Sequence, residues 1–143
     1  MYPKILFLAA FCLGVFNSQA QTISASADSA KVVFYRGSQM YRAAMNFTIR
    51  ANGEEQCRIS NKRYFVYSCL PNTVKFTSVI GGLNIPDKEV LELTLEKGKV
   101  YYVQCDIKSS FLADRIEMTE VTESTAKKKM VNLKPDNCMT SRQ

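Results

Sequence analysis

Apolar and polar residues alternate through Glu89–Cys105 (EVLELTLEKGKVYYVQC) with the period of a half-buried strand. Leu91, Leu93 and Leu95 fall on one side, Glu92 and Thr94 on the other. Glu96-Lys97-Gly98 interrupts the pattern, and Gly98 suits the left-handed position of a three-residue hairpin loop. That loop sets Leu95 opposite Lys99, Leu93 opposite Tyr101 and Leu91 opposite Val103. Because paired residues share a sheet face, Leu91, Leu93, Tyr101, Val103 and Cys105 are expected to form one apolar surface. Such a surface needs a second layer to cover it.

The same alternation recurs along the chain. Lys31–Arg36 is a β-branched and aromatic run, and Ala43–Arg50 puts Met45, Phe47 and Ile49 on one face. Ala51-Asn52-Gly53 has turn chemistry. Taken as a three-residue loop, it pairs Ile49 with Glu55, Phe47 with Cys57 and Met45 with Ile59, which keeps Cys57 and Ile59 buried. Asn61-Lys62 predicts the next turn, Arg63–Cys69 and Val74–Val79 the next strands, Asp106–Ser110 a loop and Arg115–Val121 the last strand. From Thr122 the period changes. Thr122 or Ser124 caps a short helix through Lys134, with Ala126, Met130 and Leu133 at helical spacing and Pro135 as its stop. The expectation is an all-β fold, an antiparallel sandwich of about seven to eight strands with a short C-terminal helix.

Composition narrows the setting. The chain of 143 residues suits one domain, and a hydrophobic fraction of 46% allows a packed core. Residues 1–20 carry Lys4, an apolar run from Ile5 to Phe16, and Ser18-Gln19-Ala20 as a small-x-small cleavage site. The run is too short to span a bilayer, and Phe11 before Cys12 does not fit a lipid-attachment site. The expected organisation is a signal peptide over 1–20, a flexible lead over 21–30, the sandwich over 31–121, and a helix and tail over 122–143. The product would be secreted or periplasmic, with no transmembrane segment in the mature chain. Its net charge of +6 includes Lys4. No basic stripe is interleaved with exposed aromatics, so nucleic acid is not an expected partner. Lys127-Lys128-Lys129 reads as a solvated helix face.

Four cysteines follow the cleavage site: Cys57, Cys69, Cys105 and Cys138. An exported chain with an even count implies bridges. Cys57 and Cys105 both fall on buried faces, which favours Cys57–Cys105, leaving Cys69 to tether Cys138. A metal or redox centre has less support, since the chain holds no CxxC and no histidine. The missing histidine also removes the Ser-His-Asp and Cys-His nucleophile arrangements. Paired carboxylates remain formally open, for example Asp87 with Glu89 or Asp106 with Asp114, and nothing distinguishes them from solvated acids. Neither catalytic residues nor a cofactor are expected. Tyr35, Arg36, Tyr67 and Tyr102 form a candidate ligand platform, weighed against packing in the core or beneath the helix.

The series Val33-Phe34-Tyr35-Arg36, a strand ending in Asn52-Gly53, Tyr64-Phe65, Leu70-Pro71 and Gly98-Lys99-Val100-Tyr101-Tyr102-Val103 resembles the bacterial DUF2846 family over about residues 31–121. The resemblance implies an exported or lipid-anchored β-sandwich similar to PEGA and transthyretin-like modules, with no assigned activity. One departure is visible. Members carry Pro-Gly followed by a basic residue or histidine, where this chain has Pro71-Asn72-Thr73-Val74. No functional residue transfers. The expected function is a secreted, non-catalytic binding or envelope-associated module for a protein or glycan partner. The alternatives are an assembly protein pairing through a sheet edge and an inhibitor of a secreted hydrolase.

Overall fold

The computed structural model describes residues 22–80, 90–109 and 114–142. The expected signal peptide, the Gly81–Asp87 connection and the Asp87/Glu89 pair lie outside the described residues. Eight strands precede one helix: β1 (Ala30–Arg36), β2 (Phe47–Ala51), β3 (Glu54–Ile59), β4 (Arg63–Cys69), β5 (Asn72–Ile80), β6 (Val90–Leu95), β7 (Val100–Lys108), β8 (Arg115–Val121) and α1 (Glu123–Met130). A two-residue strand, β9 (Lys134–Pro135), and a 3-10 helix over Asn137–Arg142 follow. They form two sheets, ordered β8-β7-β1-β4-β9 and β3-β2-β5-β6.

The all-β sandwich is as expected, but its larger sheet is mixed. β7 runs parallel to β1, and β9 parallel to β4. This follows from a departure at β6–β7. The two strands do not pair as a hairpin: Leu93 faces Val74 and Leu91 faces Phe76 on β5, while β7 lies between β1 and β8. The Glu96–Lys99 turn instead carries the chain from one sheet to the other. Gly98 takes φ 74° there, and the Tyr101 hydroxyl pins the turn by accepting from Glu96 N and donating to Thr94 O. Leu93, Leu95, Val103 and Cys105 still share one core, but they meet across it, each from its own sheet. Alternation is the same for strands that pair and for strands that face each other, so it left this choice open.

The second turn also differs. Asn52 and Gly53 both have positive φ (49° and 88°), a two-residue hairpin turn. Ala51 then pairs with Glu54 and Arg50 with Glu55, and a bulge restores Ile49 opposite Cys57 and Phe47 opposite Ile59. The extra residue, Gln56, keeps Cys57 and Ile59 inward, as the pattern required.

Between the sheets, the Phe34 ring stacks on Phe65 at 5.0 Å and meets Phe76 edge-on at 5.0 Å, with Tyr67 against Phe76 at 5.5 Å. The larger sheet is apolar on its other face too. There Val33, Tyr35, Tyr64 and Tyr102 surround Ala126 of α1. The helix starts where expected, with the Thr122 side chain accepting from Thr125 N. Its three lysines lie in the last turn, where they complement the helix dipole. It ends at Met130 and not at Lys134, and Pro135 holds the residue before it, Lys134, in extended backbone. Lys134–Pro135 uses that extension to pair with Arg63–Tyr64.

Candidate functional site at the loop end

The strand order sends the described connections 37–46 and 60–62 to one end of the sandwich, together with the C-terminal ends of β5 and β7. The opposite end holds the tight turns Asn52-Gly53, Leu70-Pro71 and Glu96–Lys99. Segment 37–46 is well beyond the roughly four to six residues typical of a connection. It is nevertheless tied down along its length.

Arg36 sits beneath it. Inward phase on β1 belongs to Val32, Phe34 and Arg36, so the guanidinium enters the apolar layer and is 1% exposed. Its Nη1 donates to Met45 O and its Nη2 to Arg42 O at 3.0 Å, and its Cζ lies 4.8 Å from the Phe47 ring centre. The buried Nε has no hydrogen-bond partner. Burial pushes this guanidinium below its ordinary range, opposed by the adjacent Cys105. Desolvated charge of this kind is costly unless its donors are used, and two of them order the loop.

The outer side is fastened as well. Gln39 N donates to Asn61 Oδ1 and Asn61 Nδ2 donates back to Gln39 O, both at 3.0 Å. Gln39 Oε1 accepts from Ile107 N at 3.2 Å. The Tyr41 hydroxyl donates to Asp114 Oδ1 at 3.0 Å, and Arg42 Nε meets Asp114 Oδ2 at 2.7 Å. Arg42 adopts φ 53°, a left-handed conformation that a long side chain rarely holds without such support. The result is a fixed strap whose crown, Met40 and Tyr41, is 96% and 50% exposed.

The expected tyrosine platform is not assembled at the surface. Tyr35 and Tyr102 are buried beneath α1, Arg36 is buried under the strap, and Tyr67 packs in the inner core. Tyr35 and Arg36 are neighbours on one strand and therefore point to opposite faces. The Tyr35 hydroxyl donates to Gln104 Oε1, which also accepts from Lys129, and Gln104 Nε2 donates to Asp106. Burial first, then Asp106, raise the Tyr35 phenol to about 12. Asp106 and Asp114 do not act together: Asp106 takes the Gln104 hydrogen bond and stands opposite Glu117, while Asp114 holds Tyr41 and Arg42.

The cysteine pairing is corrected. Cys57 is bonded to Cys138, and Cys69 and Cys105 are free thiols. β3 lies at the sheet edge over β4 and the tail, whereas β7 is separated from β4 by β1. Cys57 thus lies beside the tail and takes Cys138 as its partner, while Cys105 stays in the core as a buried thiol. Cys69 lies beside Ala30 at the tight-turn end, away from Cys138. The Cys105 thiol is fully buried, which pushes it far up from the ordinary thiol range.

Gln39, Met40, Tyr41 and Arg42 were not singled out from sequence, while Asn61 entered only as a turn residue and Asp114 only as a carboxylate paired with Asp106. Two signals were present: a long interval between the first two strands, and an arginine at the inward phase of an otherwise apolar run.

A known family pattern matches residues 26–119, close to the span expected from the short motifs. The chain belongs to DUF2846. That family is described as proteins of unknown function. The DUF2846 match takes in β1 through most of β8, including Arg36, the strap, Asn61 and Asp114, and leaves α1 and the Cys138 tail beyond it. No curated protein matches the chain. Among the described residues, no helix is long and apolar enough to cross a membrane.

Proposed function

We propose that this DUF2846 chain is an exported, non-catalytic binding module that recognises a protein or glycan at the cell envelope through its loop end. The observation that carries this reading is Arg36: a buried guanidinium whose donors order a connection with an exposed apolar crown. Rigid scaffolds that present loops at one end of a sandwich are a common design for recognition. A fixed crown also lowers the entropy lost on binding. Export rests on the composition of residues 1–20, and a non-catalytic role on the lack of histidine and of a nucleophile–base pair in the sequence.

Assembly through a sheet edge has less support. The edge strand β3 exposes Glu54, Glu55 and Arg58, and β8 exposes Arg115 and Glu120, charges that discourage edge pairing.

The test is binding of the purified chain to cell-wall glycan fragments and to intact envelopes, compared with Met40→Ala/Tyr41→Ala. The pair of substitutions is expected to weaken binding about tenfold or more, the scale of one or two central contacts. Lys127→Ala/Lys128→Ala on the helix should leave it unchanged. Binding that survives the crown substitutions would place recognition elsewhere.

A further inference from the structure

The disulfide joins the tail to the strand beside the strap, and hydrogen bonds and the packing of Leu133 and Met139 hold it as well. β9 contributes two exposed residues, with Lys134 N donating to Lys62 O at 3.3 Å and Asp136 N to Tyr64 O at 2.9 Å. Asp136 is itself buried. Its Oδ2 accepts from Ser60 N at 2.7 Å and its Oδ1 from Asn137 N at 2.8 Å. Ser60 precedes Asn61, whose side chain clasps Gln39, and Gln39 in turn accepts from Ile107 N. One continuous set of contacts therefore runs from Cys57–Cys138 through Asp136, Ser60 and Asn61 into the strap. An open groove of about 420 Å³ borders the bridge, walled by Asn46 of the strap, Ser60, Asp136 and both cysteines. Cys57 is buried, while Cys138 is only partly covered, and both line the groove.

We propose that Cys57–Cys138 is a redox latch that sets the order of the strap, so that a dithiol reductant switches the loop end from fixed to loose. A thiolate of the reductant attacks Cys138 Sγ, and Cys57 Sγ leaves with the bonding pair and takes up a proton. The reductant's second thiol then displaces Cys138 Sγ, which is also protonated. The protein gains two electrons and two protons, and the reductant closes its own disulfide. Cys69 and Cys105 cannot replace the bond with each other. They sit at opposite ends of the larger sheet, Cys69 beside Ala30 and Cys105 past the Tyr35–Gln104 pair. The latch rests on the loop-end reading for its purpose, but its physical content is independent of any ligand.

Amide hydrogen exchange tests it without a binding partner. Rates are measured on the oxidised chain, on the chain in dithiothreitol, and on Cys57→Ser/Cys138→Ser. The amides of Ser60 and Gln39 are expected to exchange at least about tenfold faster in the last two, while those of Val32–Phe34 in β1 stay protected. Unchanged rates at Ser60 and Gln39 would show that hydrogen bonds alone hold the tail, and would overturn the latch. Equal loss of protection throughout β1 would overturn it too, because the bridge would then pin the whole sandwich. Arg36→Met in the oxidised chain separates the two readings: it should speed exchange at Gln39 and leave Ser60 protected. Failure of the crown substitutions to affect binding would refute the loop-end reading and leave these exchange results intact.

Discussion

Tyr35 and Arg36 are adjacent in sequence and occupy different worlds in the fold. Tyr35 lies under α1 with its hydroxyl bonded to Gln104, and Arg36 lies between the sheets under the strap. Burial favours the neutral phenol, so the folded state holds the Tyr35 proton up to about 12, while the unfolded chain releases it near 10. Below pH 10 both states are protonated and this group adds no pH dependence. Between 10 and 12 the unfolded chain binds fewer protons, and its stability relative to the fold increases as pH rises. Urea midpoints measured from pH 9 to 12 should therefore fall more steeply for the wild type than for Tyr35→Phe; parallel curves would show that Tyr35 is not the group responsible. The sequence placed both residues on β1 correctly. It did not place them on opposite faces of a doubly covered strand, although the unbroken run Val32-Val33-Phe34-Tyr35 is what a strand buried on both sides looks like.

Turns show how much of each element is written locally. Every described strand expected from alternation is present, and Arg63–Cys69 and Arg115–Val121 have the expected bounds. Registers were harder to read. The Asn52-Gly53 turn fixes a two-residue hairpin, and the inward phase of Cys57 and Ile59 survives only because Gln56 is bulged out. A bulge has no composition of its own, so counting residues from the turn gave a three-residue loop instead. Gly53 meets nothing within 4 Å but holds φ +88°, so a side chain there costs backbone energy and not space. Gly53→Ala is expected to lower stability by about 1–2 kcal/mol, the cost of an L-residue in that conformation. Gly37→Ala, where the space is equally open and φ is ordinary, should stay within roughly 0.5 kcal/mol of wild type. Chemical denaturation of the two variants side by side checks the contrast; equal losses would mean that the turn does not hold Gly53 in the left-handed region.

At the scale of the molecule, the two layers and the capping helix were legible, whereas the pairing of layers was not. The β6–β7 turn joins sheets and not neighbours, and the bridge ties an edge strand to the tail, because both depend on which strand lies over which. No local pattern encodes that. The same topology puts segment 37–46 at one end, where a buried charge turns it into a fixed strap. Everything proposed about recognition depends on that strap being ordered by Arg36. Hydrogen exchange at the Gln39, Met45 and Ile107 amides measures it directly, because each donates to a partner within or against the strap. Slow exchange is expected at all three in the wild type, with a joint loss of protection at Gln39 and Met45 in Arg36→Met and β1 still protected. Fast exchange at Gln39 and Met45 in the wild type, or no change on replacing Arg36, would contradict ordering by Arg36.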